Sequence, residues 1–408
     1  MPTCRVYLDH NASHPLLNDI RKEYARMITD HDEVLSNPAS IHLPGQKAKK
    51  TLYRLKKILS EDLGVSDPEE WVVLSGATEA INTAICSFVK NVSNDGAEPH
   101  VIAATVEHSA VLGSVRDREI AHTLLKVDSS GQICENNWQE KLAEFKTNDH
   151  PILFVFQLAN NETGICFNLL NKLKEIKETF GERAHVLLDG AQAYQKRSHR
   201  DIRLAMHYAD YLSVSAHKVG GPTGIGALWV RKGAPFVSLV TGGSQERKRR
   251  AGTVNAIGVA GFYLALKAWQ IHGDQWREKM QNQRNYLKEN MGKMQGVHFF
   301  EHPEHMLPNT ICFAVEGCPE QSLLTSLDLS GYFLSSGSAC NSGSISLSHV
   351  LEAMSVDEKL GQGAVRLSVG VDTDQEELEG FLGCLREKVE EIRSSQAKAD
   401  QLLGQDPF

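Results

Sequence analysis

Residues 209–230, "ADYLSVSAHKVGGPTGIGALWV", run from an apolar, β-branched segment into a histidine, a lysine and a glycine-rich turn, and then into a second apolar segment. The first segment reads as a buried strand, and "GALWV", so close behind it, as its antiparallel neighbour. A strand this uniformly apolar belongs in a sheet covered on both faces. The ammonium group of Lys218 at its end therefore has to meet other groups gathered at the same edge.

Working outward, "WVVLS" (71–75), "HVIAATVE" (100–107), "PILFVFQLAN" (151–160), "HVLLDGAQ" (185–192) and "IGALWVRK" (225–232) read as further strands of the same kind. "GATEAINTAICSFVK" and "LLNKLKEIKETFG" have helical spacing between them. Strands alternating with helices predict a doubly wound α/β layer. Beyond about residue 257 the texture changes. A long helical stretch to about 295 is followed by strand-like "NTICFAVEG" and "VRLSVGVDT" and a charged amphipathic helix over 375–395, which together predict a smaller α+β unit. The tail "QAKADQLLGQDPF" is expected to be mobile.

The 408 residues are 41% apolar and 23% charged, with a formal net charge of −8. Such a balance offers no basic footprint for a nucleic acid, and no run is long and apolar enough for a membrane span. The dense basic stretch "ERKRR" (246–250) is expected to be a solvated loop. No signal or transit pattern is evident, so the cytoplasm is the expected compartment. The eight cysteines form no CxxC pair and no zinc-finger grouping with histidine, so no metal is expected and a disulfide framework is not indicated.

Ligands of open α/β sheets bind beyond the carboxyl ends of the strands. At that edge, Gly76, Ala77 and Thr78 in "SGATEA" follow a strand and open a helix, whose N–H groups suit a phosphate. His108 lies just past another strand, Asn160 and Asn161 past a third, and Asp189 ends a fourth. Each signal has a blander reading alone: a helix cap, a core histidine, turn formers, a paired carboxylate. Together they describe a cofactor with a phosphate, a flat ring, a ring nitrogen needing a carboxylate and an aldehyde needing a lysine. Pyridoxal phosphate has all four, and Lys218 is the candidate Schiff-base lysine.

The chain resembles the cysteine desulfurases of the NifS/IscS type, among the fold-type I pyridoxal phosphate enzymes. The resemblance runs in family order from "YLDHNASHP" through "NPASIH", "LSGATEA", "VEHSAV", "ANNETG", "DGAQ", "SAHK", "GGSQE" and "RAGT" to "SSGSACNSG" and "VRLSVG". It implies a large cofactor-binding α/β domain over 16–257 with a mostly parallel seven-stranded sheet. Residues 1–15 and 258–408 would form a small α+β domain carrying the catalytic cysteine loop. It further implies that Lys218 binds the cofactor aldehyde, His108 stacks on the ring, and Asp189 pairs with the pyridinium nitrogen. Gln192 and Asn161 would bond the phenolate oxygen, and Ala77, Thr78, Ser215 and His217 the phosphate, joined by Thr253 from a partner subunit of a homodimer. Asn37 and Arg366 would bind the α-carboxylate of L-cysteine. Cys340 would take the substrate sulfur as a persulfide, release alanine, and pass the sulfur to an acceptor protein such as an iron–sulfur scaffold or a sulfur carrier. A selenocysteine lyase and a non-enzymatic sulfur relay on the same fold are the competing readings. Two departures stand out near the site: "NASHP" puts His14 where the family has threonine, and "VGGPTG" follows the lysine.

Overall fold

A computed structural model of the chain describes residues 5–29, 36–337 and 347–403. The first strand, β1 (Val6–Tyr7), is short. The next seven are β2 (Trp71–Leu74), β3 (His100–Ala104), β4 (His122–Leu125), β5 (Ile152–Gln157), β6 (Ala184–Asp189), β7 (Tyr211–Ser215) and β8 (Gly226–Val230). They form one sheet in the order β2-β8-β7-β6-β5-β3-β4, in which β8 alone runs antiparallel to its neighbours. The expected antiparallel pair is therefore present, with Ser215 opposite Gly226.

Burial follows from period-two alternation on a doubly covered sheet. Every residue of β5 is buried. Leu153 and Val155 join Ile81, Phe88 and Val111 on one face, while Phe154 and Phe156 join Trp138, Leu173 and Ile176 on the other. Helices Ala77–Asn94 and Ser109–Asp117 thus cover the first face. β4 has one buried residue in four and lacks the apolar run that marks the other strands, which is why its sequence, "HTLL", gave no strand signal.

The second sheet holds β9 (Val297–Phe299), β10 (Thr310–Val315), β12 (Ser335–Ser336) and β13 (Val365–Ser368), in the order β12-β13-β10-β9. β11 (Tyr332–Phe333) pairs with β1, which ties the amino-terminal segment to the chain's last third. A 36-residue helix, Ala256–Met291, spans the distance between the sheets. Trp269 of this helix donates to the Val219 carbonyl at 2.9 Å, and Arg284 to that of Thr310 at 2.8 Å. The same helix therefore braces the turn after Lys218 and the edge of β10. In that turn Gly220 has φ +78°, and a Cβ there would stand 2.5 Å from Leu17.

Two expectations are corrected. The final helix runs from Gln375 to Leu403, so much of the tail expected to be mobile is helical. Residues 396–403 of that tail favour helix and contain no glycine or proline. The basic stretch is solvated only at Arg247 and Lys248. Glu246 is buried, accepts from the Val73 N–H at 2.9 Å and pairs with buried Lys56 at 3.0 Å, so it satisfies the free edge of β2. Arg249 bonds the carbonyls of Glu69 and Trp71, and Arg250 pairs with Glu79 at 3.0 Å.

Removing Glu246 takes from buried Lys56 its partner at 3.0 Å and leaves it only half-buried Glu69 at 3.4 Å, and it strips the Val73 N–H of its acceptor. Glu246→Ala should lower the unfolding free energy by about 3 kcal/mol in urea titrations at fixed protein concentration. Adding Lys56→Met should restore part of the loss, because the buried ammonium left with Glu69 alone is then gone. A loss below about 0.5 kcal/mol, the level of an ordinary surface change, would contradict the pairing.

Candidate active site

Four parallel strands deliver side chains to one edge. Asp189 is the last residue of β6 and is buried, with Oδ1 accepting from Ala191 N–H at 2.9 Å and from Ser213 Oγ on β7 at 2.8 Å. Both bonds fall on Oδ1, which leaves Oδ2 for another donor. Beyond β7 the chain makes one 3₁₀ turn, Ala216–Lys218. There the Lys218 amine donates to the Asn11 carbonyl at 2.7 Å and to that of Ala12 at 2.9 Å. Ser215 Oγ and His217 Nδ1 lie 2.9 Å apart. Burial, then Lys218 and Lys196, push the His217 pKa down to about 4, so this imidazole is neutral at pH 7.

His108 is the N-cap of helix Ser109–Asp117, and its Nδ1 accepts from the Ala110 N–H at 3.0 Å. Nδ1 is therefore unprotonated, and a neutral ring carries its proton on Nε2. Burial lowers the His108 pKa. Asp189 opposes that shift, and Lys218 and His349 add to it, so its ring stands within electrostatic reach of all three. Helix Ala77–Asn94 starts from Gly76 with no side-chain cap, so its first N–H groups are available to an anion. A Cβ on Gly226 would stand 2.7 Å from the Gly76 Cα, so the lack of a side chain on Gly226 sets the closeness of this helix start to β8. A cleft of about 490 Å³ opens here, with Thr78, Asn82 and His108 on its wall.

Gln192 and Asn161 meet through Asn11. The Gln192 amide donates to the Asn11 carbonyl at 2.8 Å, and Asn11 Nδ2 donates to the Asn161 carbonyl at 3.3 Å. Arg366 on β13 is 1% exposed; it donates to Asp9 at 2.6 Å and to the Asn161 carbonyl at 3.1 Å. Its Nε is buried without a partner, a donor that a carboxylate could take. Asn37 and Thr253 are exposed. Asn37 Oδ1 accepts from the Ala39 N–H, and neither side chain bonds the cluster among the described residues. Cys340 lies outside the described residues, but both flanks of its segment are anchored at the site. Ser335 pairs with Arg366 across the sheet, and Ser348 Oγ donates to Glu162, next to Asn161.

This set fits pyridoxal 5′-phosphate: an amine, a carboxylate with a spare oxygen, a neutral ring and an uncapped helix start share one edge. Sequence reasoning missed Asp9, Asn11, Lys196 and Glu162. Asp9 and Asn11 stand inside a quoted motif, and Glu162 follows Asn161, but nothing in their spacing announces burial. His14 is buried, its pKa pushed down to about 4 chiefly by burial; its N–H donates to the His217 carbonyl at 2.7 Å.

The profile of the aminotransferase class-V family matches residues 6–381. The cysteine desulfurase IscS of Dictyoglomus turgidum is 32% identical over 393 residues, covering 95% of each chain. The solved structure of a NifS-like protein superposes with a TM-score of 0.83 at 28% identity, covering 95% of this chain and 99% of that one. A structure described as SspA in complex with cysteine gives a TM-score of 0.73 at 25% identity, covering 90% and 99%.

Glu162 allows a test of the local electrostatics. Burial raises its pKa to about 7, while Ser348 and Arg366 act the other way. A carboxyl whose folded pKa exceeds its unfolded value stabilises the fold below the unfolded pKa and loses that contribution as pH rises through the folded one. Wild-type stability relative to Glu162→Gln should thus fall by about 2–3 kcal/mol between roughly pH 4.5 and pH 7. Urea titrations across that range check it, and parallel curves would contradict the shifted carboxyl.

Proposed function

The chain belongs to the class-V aminotransferase family as a pyridoxal phosphate-dependent cysteine desulfurase, and from that premise we propose how its own residues divide the work. The observation that carries the proposal is the meeting of Lys218, Asp189 and His108 at the ends of β7, β6 and β3 beside an uncapped helix start. When bound, the cofactor supplies an electron sink that lets the substrate's Cα lose a proton and its Cβ–S bond break. Lys218, released from the Asn11 and Ala12 carbonyls, is the residue that holds the cofactor aldehyde. Asp189 would bond the ring nitrogen through Oδ2. His108 would lie against the ring as a neutral imidazole, and it or Lys218 would move the α-proton. Gln192 and Asn161 serve the phenolate oxygen. The Ala77 amide, Thr78, Ser215 and His217 serve the phosphate.

Arg366 takes the α-carboxylate of L-cysteine, aided by Asn37. Arg366 Nε lacks a partner, while its Nη2 is held by Asp9, so the guanidinium is fixed before the substrate arrives. The Cys340 thiolate attacks the substrate sulfur. As the S–S bond forms and the C–S bond breaks, the freed electron pair passes to the carbon side and is later protonated, giving alanine and a persulfide on Cys340. An acceptor protein, an iron–sulfur scaffold or a carrier for tRNA or cofactor thiolation, then takes the terminal sulfur. Exposed Thr253, at the end of the stitched basic stretch, reaches the phosphate site of a second subunit, which makes the enzyme a homodimer. The large unit spans 16–257, and residues 1–15 and 258–408 form the small one. The six described cysteines are free thiols, which suits a reducing cytoplasm. Among the described residues no helix is long and apolar enough to cross a membrane.

Cys340→Ser keeps the shape and removes a polarizable nucleophile. The variant should bind cofactor and L-cysteine as the wild type does, while alanine and sulfide formation fall by on the order of a thousandfold. In the wild type, brief exposure to L-cysteine should add one sulfur to the Cys340 peptide first, as read by peptide mass spectrometry with and without reductant. First labelling of another cysteine, or full turnover in the variant, would overturn the assignment.

A further inference from the structure

Lys196 is a lysine that neither the motifs nor the proposed mechanism uses. It is 3% exposed and lies in the turn after Gln192. Its amine donates to Gln192 Oε1 and to Asn11 Oδ1, both at 2.9 Å. No carboxylate pairs with it among the described residues, although a buried ammonium ordinarily demands one. One of the two acceptors, Asn11, also meets Lys218, and the other, Gln192, bonds the same Asn11 carbonyl. The Gln192 amide nitrogen donates to the Asn11 carbonyl at 2.8 Å, and the Lys218 amine donates to that same carbonyl at 2.7 Å.

We propose that Lys196 is a positioning residue of the cofactor site, which grips Asn11 and Gln192 by their side-chain oxygens and sets a second amino group behind Lys218. The grip fixes which way each amide faces. With Oε1 taken by Lys196 and one N–H given to the Asn11 carbonyl, Gln192 has its second N–H to offer to an anionic oxygen of the cofactor. Asn11 Oδ1 is likewise committed, so its Nδ2 turns to Thr310 Oγ1 at 2.8 Å and the Asn161 carbonyl.

The second consequence is electrostatic. Burial, then Lys218 and Arg366, push the Lys196 pKa well down. The other titratable groups within its electrostatic reach are His10, His14 and His217, whose own pKa values it lowers, and the Cys166 thiol, which burial holds at about 11. None of these is an anion at neutral pH. Two amines sharing one carbonyl-lined site compete for protons, and the presence of either lowers the proton affinity of the other. A lysine that forms a Schiff base needs its unprotonated amine, and a neighbouring amine that competes for the same proton favours that form. Lys196 therefore makes Lys218 easier to deprotonate without touching substrate.

This inference rests on Lys218 being the cofactor lysine, and the test separates the two. The visible absorbance of the lysine-bound cofactor is followed against pH in the holoenzyme for wild type, Lys196→Met, Lys196→Gln and Lys218→Ala. Loss of the competing amine should raise the midpoint by about one pH unit in both Lys196 variants. Lys218→Ala should lack the titrating band. Midpoints within about 0.2 units of wild type in both would overturn the role of Lys196 while leaving Lys218 in place. A wild-type band in Lys218→Ala would instead overturn the reading beneath it. Far-ultraviolet circular dichroism checks that the variants fold. Failure of both to fold would also contradict the proposal, because a positioning residue is dispensable to the fold.

Discussion

Asn11 is the constraint on which the rest of the site depends. It is fully buried, and its main chain and side chain together satisfy partners from every part of the molecule. Its N–H donates to Ser368 Oγ on β13, and its Nδ2 to Thr310 Oγ1 on β10. Its carbonyl accepts from Lys218 and Gln192, and its Oδ1 from Lys196 and Asn309. One residue of the amino-terminal segment thus joins the large sheet's functional edge to the second sheet. A buried amide this fully satisfied specifies a single arrangement, since any shift leaves several polar groups unpaired.

The two sheets contribute different chemistry to that junction. The large sheet brings the lysine, the aspartate and the histidine on strand ends, where neighbouring strands fix their spacing. The second brings Arg366 and the flanks of the Cys340 segment, through the pairing of Ser335 with Arg366. Lys218, Asp189 and His108 on one side and Arg366 on the other are therefore placed on separate frameworks that meet at Asn11. The long helix Ala256–Met291 holds them in register through Trp269 and Arg284.

Much of this was legible in the sequence, for identifiable reasons. Doubly buried strands leave continuous apolar runs, so six of the large sheet's seven strands could be read. Lys218, Asp189 and His108 could be read because a charged or polar group at the end of such a run needs an explanation. Half-exposed β4 and the two-residue strands β1, β11 and β12 carry no such run. The basic stretch misled because charge alone suggests solvent, whereas Glu246 is held by Lys56, far away in the chain. Lys196 and Asn11 were hidden for a related reason. Their importance lies in the hydrogen bonds they make with residues distant in sequence, and no local pattern records those.

The central claim is that Lys218 is the group through which this chain holds its cofactor. Borohydride reduction of the holoenzyme, followed by digestion and peptide mass spectrometry, reads the attachment point directly. The account predicts a phosphopyridoxyl group on the peptide containing Lys218, with Lys196 unmodified. Attachment at Lys196 or any other lysine, or no attachment in a protein that still turns over L-cysteine, would contradict it.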